Sequence, residues 1–412
     1  MNRTMHAFGL ETNRILVDMK VLIFNSLYTP HLVGGAERSV QLLAETLVSR
    51  GHRVSVASTG PSYGQDRING VDVYYLKTPN LYWMRDSARQ PVLVKPIWHA
   101  IDTDNRLAEP HYRRLIERLR PDIVHTNNLA GLSVAVWRAA DRTDIPVVHT
   151  IRDHYLLCAR STMFRRGCRC TSQCTDCRIF SLGKKQQASR VTAAVGISTY
   201  ILEKHLRYGF FTNTAISRTI HNPILPVENR GTKRDATDQI NIGFVGRLAP
   251  HKGVELLLSS VRRIDSPRFR IHLYGEGQSH EYERLLKDRY TSSRVIFHGV
   301  RPPEEIYGSL DMLVVPSLCD EAFGRIVPEA NAQGVPVITS NRGGLPEIVR
   351  DCDNGFIFDA DRPESLTERL KQLLTDDRWR RTMPDRARRR AQDFSTDSIT
   401  RQYEELYGEV VR

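Results

Sequence analysis

The chain has 412 residues, of which 40% are hydrophobic and 26% charged, with 59 Lys and Arg against 47 Asp and Glu. This composition is globular, its length exceeds what one core fills, so that two domains are expected, and no run reaches the roughly 20 apolar residues of a membrane-spanning helix. The formal net charge of +12 suits an anionic partner, either a phosphorylated substrate or an anionic membrane leaflet, whereas nucleic acid is disfavoured by the lack of any zinc-finger, RNP or helix-turn-helix signature.

The first 18 residues, "MNRTMHAFGLETNRILVD", lack the apolar stretch and small-residue cleavage site of a signal peptide. They read as a flexible extension (1–18) of a cytoplasmic protein. From "MKVLIFN" onward, short β-branched runs alternate with helical periods. In "GAERSVQLLAETLVSRG" the residues Val40, Leu43, Ala44 and Leu47 share one helix face, and "HRVSVAS", "DIVHTN", "GLSVAVWRAA", "PVVHTI" and "VTAAVGIS" follow. Such alternation predicts a parallel sheet covered by helices on both faces, here over 19–226. The stretch 227–239, "VENRGTKRDATDQ", has the polar composition of a linker. A second unit of the same kind follows over 240–385, and the last helical segment, 386–412, is expected to return to the first domain. Ligands of such sheets bind beyond the carboxyl ends of the strands, which places the chemistry in a cleft between two facing domains.

Three glycine-bearing mouths lie between strands and helices. Gly34 and Gly35 open the first long helix. Gly246 precedes Arg247 and Lys252 in "GFVGRLAPHKG", and Gly343 and Gly344 stand in "NRGGLPEIV". Helix N-termini with free backbone N–H groups attract anions, and Arg247 and Lys252 add two cations. Between the last two mouths lies "EAFGRIVPE", with Glu321 and Glu329 bracketing Phe323 and Gly324.

In the first unit, "LYWMRDSARQPVLVKPIWHAID" mixes Tyr82, Trp83, Leu93, Ile97 and Trp98 with Arg85, Arg89 and Lys95. The mixture suits an interfacial segment or an excursion packed on the domain. His125 ends a strand, where it faces either the cleft or the core. After "PVVHTI" come Arg152, Asp153 and His154, and then a cysteine-rich insertion over 158–177. Cys158, Cys170, Cys174 and Cys177 are its expected ligands for a structural zinc ion, since clustered intracellular cysteines favour metal over disulfides. The odd count, with Cys168, leaves reduced or partly disulfide-linked thiols as the other reading. Asp-x-Asp triplets at Asp102–Asp104, Asp351–Asp353 and Asp359–Asp361 are short enough to arise by chance, and cationic side chains already supply the charge of a catalytic metal.

The motifs "EAFGRIVPE", "VGRLAPHKG", "GGLPEIV", "GGAERSV" and "QYEELY" together resemble the family-four retaining glycosyltransferases, from about Met19 to the end. The resemblance implies the GT-B fold, two doubly wound α/β domains facing a cleft, and transfer from a nucleotide-diphosphate sugar to a hydroxyl of a glycan or lipid-linked acceptor. The expected role is cell-surface polysaccharide or glycolipid synthesis at the inner face of the plasma membrane, and the net charge with the apolar-basic segment 82–98 adds the expectation of peripheral contact with anionic lipid. By the same resemblance, Glu321 holds the donor sugar, Glu329 holds the ribose, and Arg247 and Lys252 neutralise the leaving diphosphate. Phe323, Gly324, Gly34, Gly35, Gly343 and Gly344 complete the donor site, and Asp153 joins the catalytic group. No enzyme nucleophile is then obligatory, because the leaving phosphate helps remove the acceptor proton, and no cofactor is required for catalysis, because cationic side chains supply the charge of a metal ion. The family's His-Asp pair is altered: Arg152 stands where the histidine belongs and His154 follows, so Arg152, His154 and His125 are the acceptor-side candidates. A nucleotide-sugar epimerase of the same architecture and a non-catalytic nucleotide-sugar-binding protein are the alternatives.

Overall fold

The computed structural model describes residues 18–31, 34–225 and 239–412. The expected extension, apart from Asp18, and the expected linker, apart from Gln239, lie outside the described residues.

The N-terminal strands are β1 (Lys20–Phe24), β2 (Arg53–Thr59), β3 (Gly64–Ile68), β4 (Val71–Leu76), β5 (Ile123–Thr126) and β6 (Val147–Ile151), a two-residue pair β7 (Phe164–Arg165) and β8 (Cys168–Arg169), then β9 (Ala193–Gly196) and β10 (Ile216–Thr219). Eight of them form one sheet in the order β10-β9-β6-β5-β1-β2-β4-β3. All neighbours are parallel except β3, which lies antiparallel on β4 as an edge strand. Sequence alternation does not reveal β3: "GQDRI" is almost wholly exposed and carries no apolar period. β5, β6 and β9, by contrast, are buried along their whole length, as strands covered on both faces must be.

The second sheet contains β11 (Ile240–Val245), β12 (Phe269–Tyr274), β13 (Val295–Gly299), β14 (Met312–Val315), β15 (Val337–Ser340) and β16 (Gly355–Phe358). Their order is β13-β12-β11-β14-β15-β16, parallel throughout. Each sheet reverses its strand order once, beside β1 and beside β11. At such switch points the helices diverge to opposite faces and leave a crevice at the strand ends.

The expected domain crossing at 385/386 falls inside a helix, Arg378–Gln392, whose Ala387 and Ala391 are buried. The chain crosses later. Phe394 packs against Phe323 and His221, its carbonyl accepts from the Ile224 N–H at 3.0 Å, and Ser395 caps the helix Thr396–Val411. That helix lies on Gly35–Ser49, where Ile399, Tyr403, Leu406 and Tyr407 join one apolar cluster with Val21, Ile23, Val40 and Leu43. At about 1.5–3 kcal/mol per fully buried large side chain, these four are enough to fasten the segment.

Candidate active site

A cavity of about 410 Å³ opens between the domains, walled by the loops after β1, β6, β11 and β14. Gly34, Gly35 and Arg152 line it from the N-terminal side, and Gly246, Arg247, Lys252, Ser317, Glu321, Phe323, Gly324 and Arg325 from the other.

Lys252 Nζ donates to Glu321 Oε1 at 2.6 Å, and Ser317 Oγ donates to the same oxygen at 2.7 Å. Burial pushes the Glu321 carboxyl up, but the Lys252 charge and the two hydrogen bonds outweigh it and hold the group below the usual carboxylate range. Lys252 moves the opposite way, burial being overcome by Glu321. Both groups are therefore charged at neutral pH. Arg247 is exposed at the cavity edge and forms no hydrogen bond or ion pair among the described residues.

Glu329 does not stand free. Arg325 Nε and Nη2 donate to its Oε1 at 3.1 and 2.7 Å, while the buried Tyr307 hydroxyl lies 3.4 Å from Oε2. The same guanidinium reaches across the cleft, with Nη1 donating to the Gly35 carbonyl at 3.0 Å and to Ser39 Oγ at 2.8 Å. A Cβ at Gly35 would lie 2.8 Å from Arg325 Cδ, so any larger residue there must push the arginine side chain aside. Arg325 thus couples the first glycine mouth to Glu329, a role that the motif reading missed although the residue stands inside "EAFGRIVPE". Glu329 is an i,i+4 partner legible in the motif, but the partners across the cleft, Gly35 and Ser39, lie almost 300 positions away, and no local signal announces them.

Gly343 and Gly344 do not line the cavity. Gly343 has φ +61°, and a Cβ on it would lie 2.0 Å from the Glu321 carbonyl oxygen, which accepts from the Gly344 N–H at 2.8 Å. Their visible work is to let the backbone of the Glu321 loop approach closely and stay in place. Phe323 is 2% exposed and stacks on His221 at 5.4 Å, so it is a core side chain whose edge reaches the cavity.

The acceptor-side candidates divide. Arg152 lines the cavity and is fixed from behind, with Nε donating to Asn127 Oδ1 at 2.8 Å and Nη1 donating to Asn222 Oδ1. Asp153 accepts from the Tyr155 N–H at 2.6 Å, and burial raises its carboxyl to about 6. His154 is turned away: its Nε2 lies 3.1 Å from the Asp320 carbonyl, and burial lowers it to about 4. Of the two readings open for His125, cleft or core, the structure has the core. His125 is fully buried, with Nε2 2.8 Å from Thr150 Oγ1 and Nδ1 2.6 Å from the Tyr407 hydroxyl. It serves the seam under the C-terminal helix, because β5 turns that side chain towards the sheet face this helix covers.

The three Asp-x-Asp triplets are engaged elsewhere. Asp102 accepts from Tyr155 and Gly131, Asp104 pairs with Arg138, Asp351 with Arg369, Asp353 with Arg386, and Asp361 with Arg342. Asp359 accepts from Asn341. In the aromatic segment, Trp98 is buried and stacks on Tyr82, and Trp83 donates to Thr59, whereas Leu93 and Ile97 are 86% and 55% exposed.

Comparison with known proteins agrees with this geometry. Residues 34–216 match the model of a glycosyl transferase 4-like domain, and residues 228–391 match that of glycosyl transferases group 1. An uncharacterised 42.6 kDa protein of the Klebsiella pneumoniae cps region is 32% identical over 392 residues, covering 94% of this chain and all of that one. The D-inositol 3-phosphate glycosyltransferase of Corynebacterium aurimucosum is 28% identical over 70% of this chain and 72% of its own. In fold, the chain is similar to sucrose-phosphate synthase from Thermosynechococcus elongatus, with TM-score 0.74 and 19% identity over 95% of this chain and 98% of that one. It is also similar to the Anabaena protein HepE, solved with UDP and glucose, with TM-score 0.68 and 20% identity over 94% and 99%. The expected GT-B architecture is therefore present. With both domains matched in order and a relative aligned end to end, the chain belongs to the group 1 glycosyltransferases.

Proposed function

We propose that the chain moves a sugar, with retention of anomeric configuration, from a nucleoside diphosphate to a hydroxyl of a glycan or lipid-linked acceptor. The observation that carries this reading is the charged Lys252–Glu321 pair beside the free guanidinium of Arg247, across the cleft from the Gly34–Gly35 mouth and Arg152. Two cations placed where a diphosphate leaves stabilise the charge that grows on it as the glycosidic bond breaks. The Lys252-held carboxylate accepts hydrogen bonds from sugar hydroxyls in one orientation. Glu329, held by Arg325, offers its remaining lone pairs to ribose hydroxyls. Catalysis in this reading needs no metal ion, since Arg247 and Lys252 supply the charge that balances the diphosphate, and no enzyme nucleophile, since the leaving phosphate accepts the acceptor proton.

Support comes from HepE, solved with UDP-glucose as well as UDP, and from the cps-region relative, which fits a role in cell-surface polysaccharide synthesis. No helix of the described residues is long and apolar enough to cross a membrane. Leu93 and Ile97, with Val92 at 78% exposure, instead give the N-terminal domain an apolar tip beside Lys95 and Arg89. Apolar anchors next to basic side chains suit peripheral contact with anionic lipid at the cytoplasmic face.

The test is a thermal-shift screen across nucleotide sugars, followed by NMR of the product made from the best donor. A ligand at one hundred times its dissociation constant stabilises by about 2.7 kcal/mol. No shift with any nucleoside diphosphate or its sugars, or a product of inverted configuration, overturns the reading.

A further inference from the structure

A second cavity, of about 740 Å³, shares no wall with the first, and Cys158, Cys170, Cys174 and Cys177 all line it. Three pieces of backbone bring them together. Cys158 is buried at the end of the loop after β6, its N–H donating to the His154 carbonyl at 2.7 Å. Cys170 follows the β7–β8 hairpin, and its N–H donates to the Met163 carbonyl at 2.7 Å, closing the hairpin base. Cys174 is the N-cap of the helix Thr175–Gln187 and Cys177 lies in that helix's first turn, so both face the same cavity as Cys158 and Cys170. The other three cysteines are elsewhere: Cys168 is exposed on the hairpin, and Cys319 and Cys352 belong to the second domain.

Two further observations point to what the four thiols hold. Within 158–177 only Cys158 and Met163 are buried, and the secondary structure is two strands of two residues each plus the start of a helix. A unit with so little core needs a staple to keep one shape. The same stretch carries Arg160, Arg165, Arg166 and Arg169 against a single carboxylate, Asp176, and Arg160 and Arg165 are in the cavity wall. Four thiolates around a divalent ion carry two net negative charges, which these arginines complement.

We propose that Cys158, Cys170, Cys174 and Cys177 bind one structural zinc ion, which pins this hairpin as a strap across the mouth of the active-site cleft. Among the described residues, no three His, Cys, Asp or Glu side chains stand close enough together to hold a metal ion as they are placed. Closure requires the part-exposed Cys170 and Cys174 to swing towards Cys158 and Cys177, the thiol protons passing to solvent as sulfur–zinc bonds form. Soft, all-sulfur ligation selects zinc over magnesium or calcium. The strap reaches the donor loops of the second domain: Phe164 packs on His251 at 5.9 Å, and Arg169 pairs with Asp320 at 3.8 Å and Asp361 at 3.4 Å. His251 adjoins Lys252 and Asp320 adjoins Glu321, so a metal that fixes the hairpin also steadies the loops carrying the charged pair.

The full chain, purified under reducing conditions from zinc-supplemented cells, is assayed for metal by mass spectrometry. About one zinc per chain is expected, with at least a tenfold loss in Cys174→Ser/Cys177→Ser and none in Cys168→Ser or Cys352→Ser. Because the double variant can fail to fold, cobalt exchanged into the wild-type protein is a second measurement: sulfur-to-cobalt charge-transfer bands and intense tetrahedral d–d bands are expected. A wild-type protein without zinc, octahedral cobalt spectra, or a native Cys174–Cys177 disulfide found by peptide mapping overturns the proposal. The glycosyl-transfer reading is read out separately, by nucleotide-sugar binding, so either can fail alone.

Discussion

Replacing Lys252 with Met keeps the length of the side chain and removes its charge, which isolates the Lys252–Glu321 contact. The pair is short, 2.6 Å, and only partly shielded, with 32% of the lysine side chain and 16% of the glutamate exposed. A pair so placed contributes about 1 kcal/mol or less to folding after solvent screening, so the melting temperature should fall by only a few degrees. Turnover is different. A charged donor aimed at the position where negative charge grows is worth about 2.7–4 kcal/mol in the transition state, so kcat should drop by about 10²- to 10³-fold. The pH profile should move as well. In the native protein Lys252 holds Glu321 below its ordinary range against the effect of burial; in the variant burial is opposed chiefly by Ser317, the carboxyl pKa rises, and the acid limb of kcat/KM shifts to higher pH. Initial rates from pH 4.5 to 8.5 with saturating acceptor measure both effects. A kcat within threefold of wild type together with an unmoved acid limb would refute the assignment of Lys252 to the leaving group and of Glu321 to the donor sugar.

Gly35→Ala should displace the Arg325 guanidinium, because the new Cβ would lie 2.8 Å from its Cδ, and the donor KM should rise several-fold more than kcat falls; unchanged steady-state kinetics would detach Arg325 from donor binding. His125→Phe should cost about 1–3 kcal/mol in urea denaturation, through the stranded Tyr407 hydroxyl, Thr150 keeping its bond to the Tyr403 hydroxyl, while leaving kcat per folded molecule intact. Stability should fall on acidification below pH about 6.5. His149 and His205, both held by burial near 3, and His154, held near 4, are neutral in the fold and take up protons only on unfolding, at about 1.4 kcal/mol per pH unit each. Asp102 and Asp153, raised to about 6, work the other way between pH about 6 and 4, leaving a net loss that calorimetry across pH 7 to 5 should detect as a falling melting temperature. Leu93→Asp with Ile97→Asp should weaken flotation with anionic vesicles without changing donor binding; equal flotation of variant and wild type would remove the segment from any lipid contact.

Much of this protein is determined by its sequence alone, wherever the signal is local. The alternation of β-branched runs with helical periods yields two parallel sheets, because a strand buried on both faces must be apolar throughout and a covering helix must present one apolar stripe. The spacing of "EAFGRIVPE" places Glu321 in a loop and Glu329 on the following helix, Ile326–Ala332, and Glu37 accepting from the Gly34 N–H is likewise a contact over three residues. Tertiary structure decides what depends on distant partners. β3 is a strand because β4 offers it an edge, not because "GQDRI" favours one. His125 lies in the core rather than the cleft because Tyr407, 282 residues later, comes back to cover it. Arg325 can bridge the domains only where folding brings Gly35, 290 positions away, within 3.0 Å, and Gly343 is required because the Glu321 backbone passes 2.0 Å from where its Cβ would be. Local sequence sets the conformations each segment can adopt; which polar group meets which across a cleft is set by the packing of whole sheets and helices, and that information is spread over both domains.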